Sequence, residues 1–498
     1  MQTAPITFYD DSPHDECGVF GVYAPGSEVA RLAYFSLYAL QHRGQESAGI
    51  ISSDGISTYN HRGQGLVAQV FTEDNMRPLV GHMAVGHVRY STTGGNHIGN
   101  VQPYLIETIY GPLSVGHNGN LTNAVNLRYK LLERGVGMSS TSDTEVITQW
   151  LAAPATTWKP YLPDDFVYDK SNRFITRMKA FMHIAEGAYS LTVMTRDAVY
   201  AVRDPNGLRP LCIGKLENGY VFASETCALL TIGAEFVREV HPGEIVRIDA
   251  NGLYSEQVMQ PTRRALCVFE YVYFARPDSN FEGQSIHGVR QRMGHQLAKE
   301  APVAADAVIA VPDSATPAAI GLAQALDIPF TEGLTKNRYI GRTFIQPSDE
   351  LRKERVKLKY NVLDHNLRGK RIILVDDSIV RGNTVGPIVN LLRQAGAAEV
   401  HVRVSSPPVR HPCFMGVDMA TYKQLIAHHM DIEAIRQHIG ADSLHYLSLP
   451  GLMEVVQSQI AQEHGHCNAC FSGEYPLNVP AWLFEEDREK LIFEGVLH

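Results

Sequence analysis

The sequence predicts an α/β protein made of two unlike layered units, the first rich in β-structure and the second built on a doubly wound parallel sheet. Three observations carry this. A chain of 498 residues exceeds what one hydrophobic core usually serves. Short strand candidates dominate as far as residue 257. From Gly283 onward, strand and helix candidates alternate, the rhythm of parallel βαβ units.

The elements follow in order. After a polar leader bearing Pro and Asp, CGVFGVYA (17–24) reads as a buried strand, and Glu28 to Gln41 carries apolar residues at helical spacing. SAGIIS, MAVGHVRY, YSLTVMT, AVYAVR and EIVRID are short runs rich in β-branched and aromatic residues, hence strands. Amphipathic helices are expected near 123–134 and 142–152. In the second part DAVIAVP, DIPFTE and RIILVDD supply strands, and a helix begins near Thr384. Past Ser448 a helix leads into a Cys-containing tail that is expected to pack back on the body. No internal repeat or low-complexity tract is present.

Composition narrows the function classes. Apolar residues make up 44% and charged residues 19%, with no apolar run long enough to cross a bilayer, which predicts a soluble protein without a membrane partner. A net charge of -9 argues against nucleic acid as a partner. The local basic cluster from Arg352 to Arg371 reads as a solvated loop or helix. Residues Met1 to Glu16 lack the basic start and apolar core of a secretory signal, so a cytoplasmic location is expected. Seven cysteines in so long a chain do not form a disulfide framework; each serves metal binding, catalysis or burial.

Cys17, in DECGVFGVYA, reads by itself as a buried strand cysteine. Four further segments change that reading: HRGQESAGI (42–50), GHVRYSTTG (86–94), GHNGNLTN (116–123) and SDTEV (142–146). Together and in this order they resemble the N-terminal-nucleophile (class II) glutamine amidotransferases, whose fold is an αββα sandwich. The resemblance implies that residues 1–16 are a propeptide and that Cys17, once exposed, attacks the glutamine amide with its own freed α-amino group as base. An α-amino group titrates near pH ~8 and can shuttle a proton, which a peptide nitrogen cannot do. It further implies that the Asn118 side chain and the Gly119 N–H stabilise the oxyanion. Glutamine's fixed charges then need partners: Arg89 for the α-carboxylate and Asp143 for the α-ammonium. Arg43, His87 and Thr92 either support this pocket or serve as ordinary turn and sheet ligands.

RIILVDDSIVRGNT (371–384) joins a buried strand, two acids, a small polar loop and a helix start, and resembles the phosphoribosyl diphosphate signature of type I phosphoribosyltransferases. By that resemblance Ser378, Val380, Arg381, Gly382, Asn383 and Thr384 cradle the 5-phosphate at a helix amino end. Asp376 and Asp377 meet the ribose hydroxyls and a Mg2+ ion. VPDSATPAAIG (311–321) resembles the pyrophosphate loop, which makes Ser314 a candidate magnesium ligand; as an isolated motif Ser314 is a helix N-cap. KNRYIGRTFIQP (336–347) resembles the flexible loop that closes over the substrate, with Lys336, Arg338 and Arg342 neutralising the leaving group. Asn383 departs from the threonine expected there, though its amide still offers a hydrogen bond.

His466-Cys467-Asn468-Ala469-Cys470 holds one CxxC, which alone suits a redox pair, half a zinc site or packing. Cys267 in ALCVFEYVYFARPDS and Cys413 in HPCFMG match positions where a cluster-bearing branch of the amidophosphoribosyltransferase family supplies two more thiolates. The resemblance thus implies a [4Fe-4S] cluster on Cys267, Cys413, Cys467 and Cys470, of structural role. Zinc stays open as an alternative, with His464 and His466 nearby. Cys212 and Cys227 sit in apolar surroundings and read as core.

The two halves stand in the order of that family, and the resemblance runs from Cys17 to Cys470. It implies a propeptide (1–16), a glutaminase domain (17–262), a phosphoribosyltransferase domain (263–465) and a cysteine-containing tail (466–498). The implied reaction opens purine synthesis: glutamine, phosphoribosyl diphosphate and water become phosphoribosylamine, glutamate and diphosphate, with ammonia passed between two sites. Feedback inhibition by purine nucleotides and a homotetramer belong to the same implication. Two other readings are a glutaminase serving another ammonia acceptor, against which RIILVDDSIVRGNT argues, and a phosphoribosyl-diphosphate-sensing regulator.

Overall fold

The computed structural model describes residues 17–90, 95–169, 173–260, 263–337, 358–417, 419, 421–460 and 465–484. The leader 1–16, Thr92, Arg338, Arg342 and His464 lie outside the described residues.

The first half contributes β1 (Gly18–Tyr23), β2 (Ser47–Ser53), β3 (Thr58–Gln64), β4 (Met83–Arg89), β5 (Tyr104–Thr108), β6 (Gly111–Leu121), β7 (Gly187–Met194), β8 (Val199–Arg203), β9 (Cys212–Leu216), β10 (Gly219–Ala223), β11 (Glu235–Glu239), β12 (Glu244–Asp249) and β13 (Gly252–Gln257). They form two antiparallel sheets, ordered β11-β9-β10-β1-β4-β2-β3 and β13-β12-β8-β7-β6-β5. The period-two pattern of the strands sorts their side chains into layers. Val19 and Tyr23 of β1 meet Val199 and Ala201 of β8 between the sheets. Phe20 and Val22 turn the other way, into a core shared with Leu37 of the helix Val29–Ala39. Tyr200 and Val202 do the same on the far sheet, under Leu127, Ile147 and Phe181 of three helices. The result is the helix–sheet–sheet–helix sandwich that the resemblance implies.

The second half adds β14 (Leu266–Cys267), β15 (Asn280–Phe281), β16 (Gln284–Ser285), β17 (Ala307–Ala310), β18 (Leu334–Lys336), β19 (Tyr360–Val362), β20 (Arg371–Asp376), β21 (Glu399–Val404), β22 (Ser443–Tyr446) and β23 (His466–Cys467). Strands β17-β20-β21-β22 lie in that order, all parallel. Their continuous apolar runs follow from burial on both faces. Val308 and Ile373 pack under the helices Ile286–Glu300 and Thr316–Leu326 on one side. Ile309 and Leu374 pack under Val385–Gln394 and Ile432–Ile439 on the other. The helix expected near Thr384 begins one residue later, with Thr384 at its N-cap. The strand expected at DIPFTE shrinks to one bridged pair, Val308 with Phe330. Pro329 has no N–H to donate, and it sits at the sheet's outer edge.

The tail returns to the middle of the chain. β23 pairs in parallel with β14, which sets Cys467 beside Cys267, and Phe471 stacks on Phe269 with ring centroids 5.4 Å apart. Glu282, between β15 and β16, pins this junction: its carboxylate lies 3.0 Å from His466 Nε2, accepts from Tyr271 Oη at 3.0 Å and pairs with Arg264 at 3.0 Å. Burial alone raises its pKa, but His466, Arg264 and Tyr271 outweigh burial and hold it down at about 2. A depressed carboxylate stabilises the fold above its unfolded value, ~4.3, and that stability is lost as pH falls towards 2. The loss is on the order of 3 kcal/mol. Urea unfolding at several pH values is expected to show this acid limb, and Glu282→Gln to flatten it; an unchanged limb contradicts the assignment.

Candidate functional site

Cys17 stands one residue before the first ladder pair of β1, Gly18 with Val88, and is 5% exposed. Its thiol donates to Tyr90 O at 3.5 Å, and Arg43 Nε donates to its carbonyl oxygen at 3.2 Å. Burial pushes the thiol up to about 11, although the Tyr90 contact and Arg89 pull against it. A thiol raised in this way stays protonated at pH 7, so attack requires a base.

Three charges act on that thiol: Arg89, Asp143 and Glu46. The predicted glutamine-binding pair, Arg89 and Asp143, thus acts electrostatically on the thiol. Arg89 closes β4, with Nη1 3.9 Å from Glu46 Oε2. Asp143 opens the helix Asp143–Ala152, where Ser142 caps the first turn. One Asp143 oxygen accepts from Leu121 N–H at 3.1 Å and the other lies 3.5 Å from His117 Nδ1. Burial raises its pKa, but His117, the Leu121 N–H and Arg89 outweigh burial and hold it below the usual carboxylate range. A helix amino end further favours the anion. Glu46 escaped the sequence reading because an acid just before a strand looks like a turn residue; its place inside HRGQESAGI was the available signal.

Asn118 and Gly119 lie on β6. Asn118 is fully buried, and neither amide atom has a partner among the described residues. A buried amide left unbonded is costly. Gly119 has φ +142°, and a Cβ there would sit 2.0 Å from Ala188 O, so no other residue fits. His87 Nε2–H donates to His117 O at 2.9 Å, and burial pushes its pKa down to about 3. It is thus a neutral tie between the two sheets. The second half backs this site: Asn120 Nδ2 donates to Phe414 O at 2.9 Å, and Arg209 Nε to Met415 O at 2.9 Å.

The second predicted constellation lies at the carboxyl end of β20, where open parallel sheets take ligands. Asp377 N–H donates to Asp376 Oδ1 at 3.0 Å and Ser378 Oγ–H to Asp377 Oδ1 at 2.8 Å. The Ser314 hydroxyl donates to Asp377 Oδ2, which joins the loop after the neighbouring strand β17 to the acidic pair. Ser314 is no helix cap, since Ala315 holds that position in Thr316–Leu326. Burial holds Asp377 above the usual carboxylate range. Gly382 has φ +79°, and a Cβ there would meet Ile426 Cδ1 at 2.6 Å. Val380 O accepts from Ile426 N, Arg381 Nε donates to Gln424 Oε1 at 3.3 Å, and Asn383 is exposed. Lys336, at the end of β18, pairs with Asp313 at 2.6 Å, one residue before Ser314.

Cys267, Cys413, Cys467 and Cys470 line one cavity with otherwise apolar walls, Phe269 and Met415 among them. The β14–β23 pairing places two of the thiols, the turn after Cys467 the third, and Arg410 N–H bonding to Cys470 O the loop that carries the fourth. Burial raises Cys467 to about 11 and Cys267 to about 12, and drives Cys470 well above its usual value. Among the described residues no three His, Cys, Asp or Glu side chains lie close enough to hold a single metal ion. His466 turns to Glu282. Cys212 and Cys227 are buried in the first half's core, as expected.

Known proteins resemble the chain along almost its whole length. A family model described as glutamine amidotransferase domain matches residues 87–231, and one described as phosphoribosyl transferase domain matches 288–413. The amidophosphoribosyltransferase of Synechococcus elongatus is 49% identical over 98% of this chain and 96% of its own length. That of Rattus norvegicus is 46% identical over 93% and 98%. Among solved structures, the glutamine phosphoribosylpyrophosphate amidotransferase of B. subtilis, complexed with ADP and GMP, superposes with TM-score 0.85 at 43% identity, covering 95% of this chain and 99% of that one.

Proposed function

Because the chain belongs to the amidophosphoribosyltransferase family, the committed enzymes of purine biosynthesis, we propose that its reaction is divided between a glutaminase centre at Cys17 and an acceptor centre at Asp376 and Asp377. The observation that carries this reading is the buried Cys17 thiol, on which the charges of Arg89 and Asp143 act, in a chain that also presents two acids and Ser314 at the end of a parallel sheet.

Removal of residues 1–16 frees the Cys17 α-amino group, which takes the thiol proton that burial otherwise retains. Arg89 and Asp143 hold the two charged ends of glutamine, and the unbonded Asn118 amide with the Gly119 N–H receives the oxyanion. At the second centre the loop Ser378–Thr384 holds the 5-phosphate, with Val380, Arg381, Gly382 and Asn383 in its backbone. Lys336, Arg338 and Arg342 neutralise the charge of the leaving diphosphate. Asp376, Asp377 and Ser314 offer converging hard oxygens, a donor set that fits Mg2+. The ion, when bound, polarises the diphosphate oxygens.

Four thiols lining one otherwise apolar cavity suit a [4Fe-4S] cluster. Its role is structural, joining domain junction, second domain and tail. The domains run 17–262 and 263–465, followed by the tail 466–498. Seven unpaired thiols suit a reducing cytoplasm. Feedback by purine nucleotides and a homotetramer complete the reading; the B. subtilis relative was solved with ADP and GMP.

One anaerobic preparation tests the scheme. Given labelled glutamine, phosphoribosyl diphosphate and magnesium, it is expected to release glutamate and diphosphate in step; glutamate without diphosphate sinks the acceptor assignment. The same sample is expected to hold about four iron atoms per chain with a broad visible band. Zinc without iron overturns the cluster.

A further inference from the structure

Arg43 is fully buried and reaches three partners at once. Nε donates to Cys17 O at 3.2 Å, Nη1 to Glu225 at 2.6 Å and Glu270 at 3.0 Å, and Nη2 to Glu270 at 2.7 Å. All three side chains are shut off from solvent. A guanidinium is a rigid planar fork, so two acids that fix its far edge also fix where Nε points. Glu225 precedes the helix Thr226–Thr231 of the first half, and Glu270 belongs to the segment leading into the parallel sheet. Glu270 opens a π-helical turn, Glu270–Phe274, closed by Ala275 N–H bonding to Glu270 O at 3.1 Å. Arg290 clamps the turn by donating to Tyr271 O and Ala275 O, each at 2.8 Å. Such turns are rare and recur at functional sites. Glu225 is held in turn by Ser279 Oγ at 2.6 Å and Arg276 N–H at 3.0 Å.

Cys17 lies outside the first ladder pair of β1, and its carbonyl is tethered by Arg43. That peptide unit fixes the position of the Cα from which both the sulfur and the α-nitrogen branch. Burial works against the Arg43 charge, but Glu270 and Glu225 outweigh it and keep the guanidinium ionised.

We infer that Glu270 and Glu225 are positioning residues for the Cys17 nucleophile, acting through Arg43, so that the second half of the chain sets the geometry of the first half's reaction. The inference rests on Cys17 being the nucleophile. A misplacement of about 1 Å at a reacting group costs roughly a hundredfold in rate. In full-length enzyme, Glu270→Gln is expected to lower kcat for glutamate release at least roughly tenfold, with KM for glutamine changed less than about twofold. Phosphoribosylamine formation from free ammonia is expected to keep its rate. Glu270→Asp, which keeps the charge but withdraws it by one methylene, is expected to show the same split more weakly, and it decides the matter if Glu270→Gln does not fold. Wild-type kcat for glutamate release in a folded variant overturns the inference, as does an equal fall in both activities. A Cys17→Ala control that still released glutamate would remove the nucleophile assignment itself.

Discussion

Cys17→Ala is expected to abolish glutamine-dependent phosphoribosylamine formation, by at least roughly ten-thousand-fold, while synthesis from free ammonia continues within about twofold of wild type. The size follows from the chemistry. The sulfur is the atom that would bond to the amide carbon, and among the described residues the nearby His87 is held neutral and tied to a backbone carbonyl, so it offers no substitute. The selectivity follows from the architecture, since Cys17 lies on the antiparallel sandwich and the acidic pair on the separate parallel sheet. Steady-state kinetics with each nitrogen source, in enzyme whose melting temperature is unchanged, provide the check. Loss of both activities contradicts the division of labour. Intact mass completes the test: active enzyme is expected to begin at Cys17, because the base is otherwise locked in a peptide bond.

Asp377→Asn is expected to have the opposite signature, lowering synthesis from both glutamine and ammonia by roughly a hundredfold or more. Asp377 joins three elements of the acceptor site, accepting from Ser314 and Ser378 and donating its N–H to Asp376. An amide cannot supply the negative charge that a magnesium diphosphate requires. Burial already holds this carboxylate above its ordinary range, so its ionised form is strained in the absence of a cation. Melting is accordingly expected to hold steady or rise in Asp377→Asn without magnesium. A large fall in stability indicates a structural role for Asp377 and contradicts the assignment.

Local signals made much of the fold legible. EIVRID forms β12 over its full length, and SAGIIS and RIILVDD match β2 and β20 to within a residue, because β-branched runs bounded by turn residues have few alternatives. TYNHRGQ escaped because β3 is a half-buried edge strand of mostly polar residues, held by its register with β2. DIPFTE has strand composition, but one proline at a sheet edge limits it to a single bridge.

The candidate sites divide in the same way. Cys17, Asn118, Arg89 and Asp143 were named from motifs, which record residue types that chemistry requires at fixed spacing. Glu46 was not, since its bearing on the thiol depends on a strand edge that brings it to Arg89. Ser314 illustrates a choice left open: local pattern allowed a helix cap, and the adjacency of β17 and β20 turned it to Asp377 instead.

By itself the sequence determined the class of both units, their order and the reaction family, because each is written in short runs of residues whose chemistry is local. Only the tertiary structure decided what stands behind those residues: Glu270 and Glu225 on Arg43. Charges more than a hundred residues apart carry no local pattern. Their meaning comes from burial, which removes water as the competing partner and makes each remaining contact directional.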